Sequence, residues 1–150
     1  MSGAVSIVEA KESDLPAIKG LLAELVNAIQ DSESLDINKA MGNCRILLND
    51  ANCNLLVAKV GDSVVGFINF TTRKTALHLA PSGLIDELIV SEKYRGQGIG
   101  RQLISAAVDK CRQLGCCEIE VSTEKTNTKA REFYKSSGFE DVSILLEMHL

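Results

Sequence analysis

No Cys-x-x-Cys pair occurs in this sequence, and its two histidines, His78 and His149, lie far from all five cysteines, Cys44, Cys53, Cys111, Cys116 and Cys117. The common zinc-site spacings are therefore missing, no metal is expected, and an odd set of thiols without a secretion signal reads as reduced and mostly buried. No apolar run approaches the roughly 20 residues that span a bilayer, so no membrane partner is expected. The opening MSGAVSIVEAKES lacks the basic, apolar and small-residue order of a signal peptide, which makes the cytoplasm the expected compartment. Lys/Arg blocks are also absent and the net charge is -4, which removes the electrostatic footprint of a nucleic-acid binder. Internal repeats, low-complexity tracts and Pro/Gly-rich linkers are missing too. What is present is 45% apolar content over 150 residues, enough to bury one core and too little for two, so residues 1–150 read as one domain.

The periodicities give the order β-α-α-β-β-β-α-β-α-β, an α/β arrangement around a mixed sheet. Residues 4–9 form a short strand. Leu15, Ile18, Leu22, Leu25 and Ile29 recur at helical spacing, with Ser13 as N-cap and Pro16 in the first turn. Ile37, Met41, Cys44 and Leu48 mark a second helix over 37–49, after a polar connection at 31–38. NLLVAKV and SVVGFINFTT flank Gly61-Asp62 as a hairpin, and residues 73–83 read as a loop. LIDELIV, residues 84–90, has few polar positions and belongs inside the sheet. A helix follows through Ile99, Leu103, Ala107, Cys111 and Leu114, ended by Gly115. CCEIEVST is a strand, NTKAREFYKSSG a helix ended by Gly138, and FEDVSILLEMHL holds one or two closing strands.

Between the strand at 84–90 and the next helix lies YRGQGIGRQL, residues 94–103. Glycines leading into a helix N-terminus present backbone N–H groups without intrahelical partners, in the positive end of the helix dipole. An anion suits that place, most often a phosphate, and Arg95 and Arg101 add charge. No P-loop string occurs. A dinucleotide fingerprint from Gly96 or Gly98 would need a third glycine where Arg101 or Leu103 stands, although Glu118 and Glu120 lie near the position of a ribose-binding acid.

Arg95, Gly98 and Gly100 do fit R-x-x-G-x-G. With LIDELIVSEKYRGQGIG before it, and Asn127, Ala130, Phe133, Tyr134 and Gly138-Phe139 behind, the chain resembles the GNAT superfamily of acyl-CoA-dependent N-acetyltransferases. The resemblance implies a mixed sheet of about six to seven strands, its fourth and fifth strands splayed, with about four helices. It implies acetyl-CoA as co-substrate, its pyrophosphate on the loop Arg95, Gly96, Gln97, Gly98, Ile99, Gly100 and Arg101. The acyl-pantetheine arm would lie along Leu88, Ile89 and Val90, with the Val90 N–H polarising the thioester carbonyl and Asn127 contacting the arm.

The resemblance makes Tyr134 the acid for the departing thiolate, whereas Phe133 is a core aromatic. An amine acceptor is mostly protonated at neutral pH, so a base or ordered water is needed. Asp86 and Glu87 are adjacent, and on a regular strand they face opposite sides, so both serve one site only if a bulge relaxes this; Glu87, with apolar Leu88 and Ile89 beside it to raise its pKa, is preferred as base or substrate anchor. His78 reads as a surface residue and Asp31, Glu33 and Asp36 as a solvated run rather than an acceptor lip. An acyl-cysteine relay on Cys116 or Cys117 would need a base beside the thiol; both read as small buried hydrophobes. The alternative to an enzyme is a non-catalytic acyl-CoA-binding module, for which Tyr134 and Glu87 would be superfluous. Apolar residues in SILLEMHL are compatible with a homodimer as well as with a closed monomeric sheet.

Overall fold

The computed structural model describes residues 3–28 and 36–150. Its elements are β1 (Val5–Glu9), α1 (Leu15–Ala28), α2 (Ile37–Leu48), β2 (Cys53–Val60), β3 (Ser63–Arg73), β4 (Ser82–Val90), α3 (Ile99–Gln113), β5 (Glu118–Val121) and α4 (Thr128–Ser136). The strands form one mixed sheet in the order β1-β2-β3-β4-β5; the first four are antiparallel neighbours and β5 runs parallel to β4. Two cores cover the two faces. Leu15, Ile18, Leu22, Met41 and Cys44 of α1 and α2 pack on Val57, Phe67 and Ile89, while Ile99, Leu103, Ala107 and Cys111 of α3 pack on Leu56, Ile68, Phe70 and Ile85. Alternation along each strand sends successive apolar residues to opposite cores, which is why these strands read as continuous hydrophobic runs.

Helix α1 starts differently from the expectation at Ser13, which lies inside a 3-10 turn, Glu12–Asp14. Asp14 anchors the start instead. It is 5% exposed, accepts the Lys11 N–H at 2.9 Å and meets the Lys59 ammonium of β2 at 2.8 Å, tying the helix to the sheet. Asp36, at the edge of the expected acidic lip, is the N-cap of α2, accepting from the Asn38 and Lys39 N–H groups; Asp31 and Glu33 lie outside the described residues.

Two boundaries move. The loop expected over 73–83 gives Arg73 to β3 and Ser82 and Gly83 to β4, and β5 begins at Glu118 rather than at the cysteines. The sheet has five strands among the described residues, not six to seven, because the expected closing strands at 139–150 do not form. Arg131 and Lys135 hold Asp141 against α4 at 3.2 and 2.7 Å, and the chain beyond it runs on unpaired. No described helix is long and apolar enough to cross a membrane.

Candidate active site

The site grows from a gap in the sheet. β4 pairs with β5 only over Ser82–Ile85, matched to Glu118–Val121, while its pairing with β3 continues to Val90. Past Ile85 one side of β4 is therefore open, as a splayed fourth and fifth strand requires. The Ser91 N–H donates to Val65 O of β3 at 2.8 Å. Backbone groups alternate direction along a strand, so the Val90 N–H points the other way, into the gap. The Val90 carbonyl is held by the Arg95 Nε at 3.1 Å, which ties the strand end to the loop.

The glycine loop closes the mouth of this gap. Among the described residues, none of the backbone N–H groups from Gly96 to Arg101 donates to a protein acceptor; the first internal bond of α3 is from the Gln102 N–H to Gly98 O. Six consecutive amides at the N-terminus of a 15-residue helix make an anion cradle. Gly98, the N-cap, has φ 82 with open space where a Cβ would stand. At Gly100 the reason for glycine is different: a Cβ would come within 3.1 Å of Phe133 and 3.9 Å of Val90. Thus the β4 end, the loop and α4 converge on one point. Ile99 is 1% exposed, so its side chain belongs to the core and only its N–H faces the cradle. Arg101 donates to Ser136 O at 3.3 Å and Ser136 Oγ at 2.8 Å, clamping α3 to α4.

On α4, Tyr134 stacks edge-on between Phe133 and Phe139, with ring centroids 5.3 and 5.6 Å apart. Burial raises its hydroxyl above the ordinary range, so it stays a protonated phenol at neutral pH. Asn127 is the N-cap of this helix, its side-chain oxygen accepting the Ala130 N–H at 3.1 Å; its amide NH2 makes no hydrogen bond among the described residues.

Both carboxylates of β4 turn to the same face, and the cause is a bulge. Asn69 pairs with Glu87 and Phe70 with Ile85, so Asp86 is an extra residue without a partner. Asn69 and Thr71, two apart on β3, then meet them in parallel: Asn69 Nδ2 donates to Glu87 Oε2 at 2.8 Å and Thr71 Oγ1 to Asp86 Oδ2 at 3.1 Å. Glu87 lines a cavity of about 90 Å³ with Leu22, Cys44, Leu47, Phe67 and Asn69. Burial lifts its carboxyl above the ordinary range; the Asn69 hydrogen bond partly offsets this, and the Asp86 charge adds to it. Asp86 is raised as well, by burial, against the opposing Thr71 bond. A larger, open depression at Arg45, Ile46, Asn49, Asp50 and Ala51 touches none of these residues.

Residues 20–139 match the sequence profile of the Acetyltransferase (GNAT) family. This chain belongs to the GNAT acetyltransferase family. It is 30% identical to an aminoalkylphosphonate N-acetyltransferase of Salmonella typhimurium over 87% of its length and 81% of the relative's. With a thialysine N-epsilon-acetyltransferase of Bos taurus it shares 26% identity over 93% and 86% of the two chains. The crystal structure of an aminoglycoside acetyltransferase from an uncultured soil metagenomic sample, in complex with sisomicin, superposes with a TM-score of 0.78 at 25% identity, covering 97% of this chain and 96% of that one. The protein is an acyl-CoA-dependent N-acetyltransferase.

In this GNAT chain Gly100 of the loop lies between Val90 at the end of β4 and Phe133, Tyr134 leans on Phe133, and Asn127 starts the same helix. His78 is not among them. It sits before β4, at the far end of that strand from the loop, its Nδ1 2.6 Å from Thr75 Oγ1 and its Nε2 3.4 Å from Glu118. Cys116 is half-buried but Cys117 is exposed, its Sγ against Ala80 O and Pro81 O, which corrects the expectation that both are buried. Two polar residues escaped the sequence reading. Asn69 is 2% exposed and holds Glu87, leaving its own side-chain oxygen without a partner. Glu24 of α1 accepts the Glu92 N–H at 3.1 Å and the Ser91 hydroxyl at 3.4 Å, locking the approach to the loop. An isolated polar residue in an apolar strand or helix face was the only available signal.

Proposed function

We propose that this GNAT enzyme moves an acetyl group from acetyl-CoA to a primary amine of a small molecule or a protein, directly, within a ternary complex. The observation that carries this reading is the Val90 N–H, directed away from β3 into the β4–β5 gap just before the loop of free amides. The cradle takes the pyrophosphate; Leu88 to Val90 offer backbone groups to the pantetheine arm. Glu87, with a raised carboxyl, accepts a proton from the incoming ammonium, directly or through water. The neutral amine attacks the thioester carbon, and the Val90 N–H stabilises the tetrahedral oxyanion. As the C–S bond breaks, Tyr134 gives its proton to the departing thiolate, and the tyrosinate is reprotonated by the second proton that the new amide nitrogen sheds.

Small-molecule acceptors are favoured by the relatives named for aminoalkylphosphonate and thialysine. A cytoplasmic location and self-association of two chains complete the proposal. A panel of primary amines assayed by CoA release, beside intact-mass analysis for self-acetylation, tests it. Turnover of at least one amine is expected; tight acetyl-CoA binding with no acceptor turned over would instead mean a binding module.

A further inference from the structure

The end of α3 holds two of the five cysteines in one short motif. Gly115 stands at φ 78, the left-handed residue that closes a helix. Around it the Cys116 N–H donates to Cys111 O at 3.0 Å and the Gly115 N–H to Arg112 O at 3.0 Å, the paired bonds of a Schellman end. Such an end brings the side chains at the positions of Cys111 and Cys116 into contact. Cys111 is 3% exposed, and Cys116 packs on the cluster that contains it. With the Cys111 carbonyl that close to the Cys116 nitrogen, standard bond lengths keep the two Cα atoms within roughly 6.5 Å, inside the span of about 4.4–6.8 Å that a disulfide bridges.

The Cys111 sulfur also occupies a particular place. Gly83 of β4 lies opposite Ile119 of β5, and a Cβ on Gly83 would come within 2.6 Å of Cys111 Sγ and 3.4 Å of the Ile119 side chain. The thiol thus rests on the paired end of the β4–β5 fork, whose other end is the open gap at Val90. Cys117 takes no part: it is exposed, with its Sγ against Ala80 O and Pro81 O.

We propose that Cys111 and Cys116 are a reversible thiol–disulfide pair, joined by exchange with a low-molecular-weight disulfide, and that the bond ties the last turn of α3 to the entry of β5. The Cys116 thiolate attacks one sulfur of the small disulfide, whose S–S bond breaks and releases one thiolate. Cys111 then gives its proton to solvent and attacks the Cys116 sulfur, releasing the second thiolate. Two protein thiols are oxidised and one small disulfide is reduced to two thiols. Burial pushes the Cys111 thiol up to about 12, with the neighbouring Cys116 and Cys117 adding to the rise. The half-buried Cys116 is therefore the attacking group and Cys111 the resolving one. This pair sits at the opposite end of α3 from the amide cradle, so it stands independently of which amine the enzyme acetylates.

Incubation with oxidised glutathione, followed by tryptic mapping without reduction, tests the pair, because trypsin cuts after Arg112, between the two cysteines. A peptide linking Cys111 to Cys116 is expected, lighter by about 2 Da for the two hydrogens removed and separated again by dithiothreitol. Cys117→Ser should keep this link and Cys116→Ser should lose it. In the linked form the amides of Glu118–Val121 should exchange with solvent more slowly. Absence of the linked peptide at every glutathione ratio overturns the proposal, as does a glutathione adduct that persists on Cys116, which Cys111 then fails to resolve. A Cys116–Cys117 link overturns it too, and so does a Cys111–Cys116 link that leaves exchange over 118–121 unchanged. Should Cys116→Ser not fold, the peptide map of the wild-type chain decides alone.

Discussion

Replacing Gly98 and Gly100 separately by alanine sets two physical causes against each other in one loop. At Gly98 the methyl meets nothing within 4 Å, but the backbone stands at φ 82. Holding an L-residue in the left-handed region costs about 1–2 kcal/mol, which for a domain of this size lowers the melting temperature by roughly 2–8 °C. The strained backbone would also shift the loop that carries the six free amides. Losing one charge-assisted amide bond to phosphate, about 1.5–3 kcal/mol, weakens acetyl-CoA binding roughly ten- to hundredfold. Gly100 has ordinary helical geometry, and alanine there gains about 1 kcal/mol of helix propensity. Against that gain stands a 3.1 Å contact with Phe133, whose ring leans on Tyr134 at 5.3 Å. Gly100→Ala should therefore melt near wild type, bind acetyl-CoA nearly as well, and lose kcat because Tyr134 is displaced. Calorimetric titration with acetyl-CoA, thermal melts and steady-state rates separate the two. Unchanged acetyl-CoA affinity in Gly98→Ala would refute the assignment of these amides to the pyrophosphate.

Tyr134→Phe keeps the ring packing and should lower kcat by about 10²-fold or more with acetyl-CoA affinity within twofold; an equal loss in both would mean a packing role. Because burial raises the Tyr134 hydroxyl, the alkaline fall of the wild-type rate should lie above the ordinary tyrosine value of about 10. Asn69→Leu removes the hydrogen bond that pulls the Glu87 carboxyl down, so the acidic limb of kcat/KM should move to higher pH; an unmoved limb would show that Glu87 is not the base. Burial alone would raise Asp14, but the Lys59 hydrogen bond and charge with the Lys11 N–H bring it below its ordinary value. Its stabilisation is thus present above the unfolded value near 3.9 and lost as pH falls through the lowered one. Asp14→Asn should be about 1–3 kcal/mol less stable at neutral pH and converge on wild type in acid, followed by circular dichroism.

What the sequence made legible was local. Gly96, Gly98 and Gly100 declare the cradle because positive φ and close approach are decided within a few residues, and the motif after them carried Tyr134 and Asn127 along. The orientation of Asp86 and Glu87 was hidden, since it depends on the partner strand's register. Asn69 was silent for the same reason: one amide in a run of apolar residues has no pattern until Glu87 is placed across from it. The closing strands expected from the alternation in FEDVSILLEMHL do not form, because alternation says nothing of which edge is free to receive them. Val142 to Leu150 have the period and lack the neighbour.

The bulge at Asp86 connects two features of the site that could have been separate accidents. Ile85 is the last residue of β4 to pair with β5, opposite Val121, and the residue after it is the unpaired one on the β3 side. A bulge bends its strand and sharpens the local right-handed twist. Extra twist at this point swings the rest of β4 away from a parallel neighbour while the antiparallel ladder to β3 holds it in the sheet. The same inserted residue reverses the side-chain parity beyond it, turning Glu87 from the α3 face to the α1–α2 face, where Asn69 and the small cavity wait. One extra residue thus opens the gap that frees the Val90 N–H and aims the carboxylate proposed to deprotonate the amine. Both consequences depend on the register of a single pair of strands, which is why neither could be assigned from LIDELIV alone.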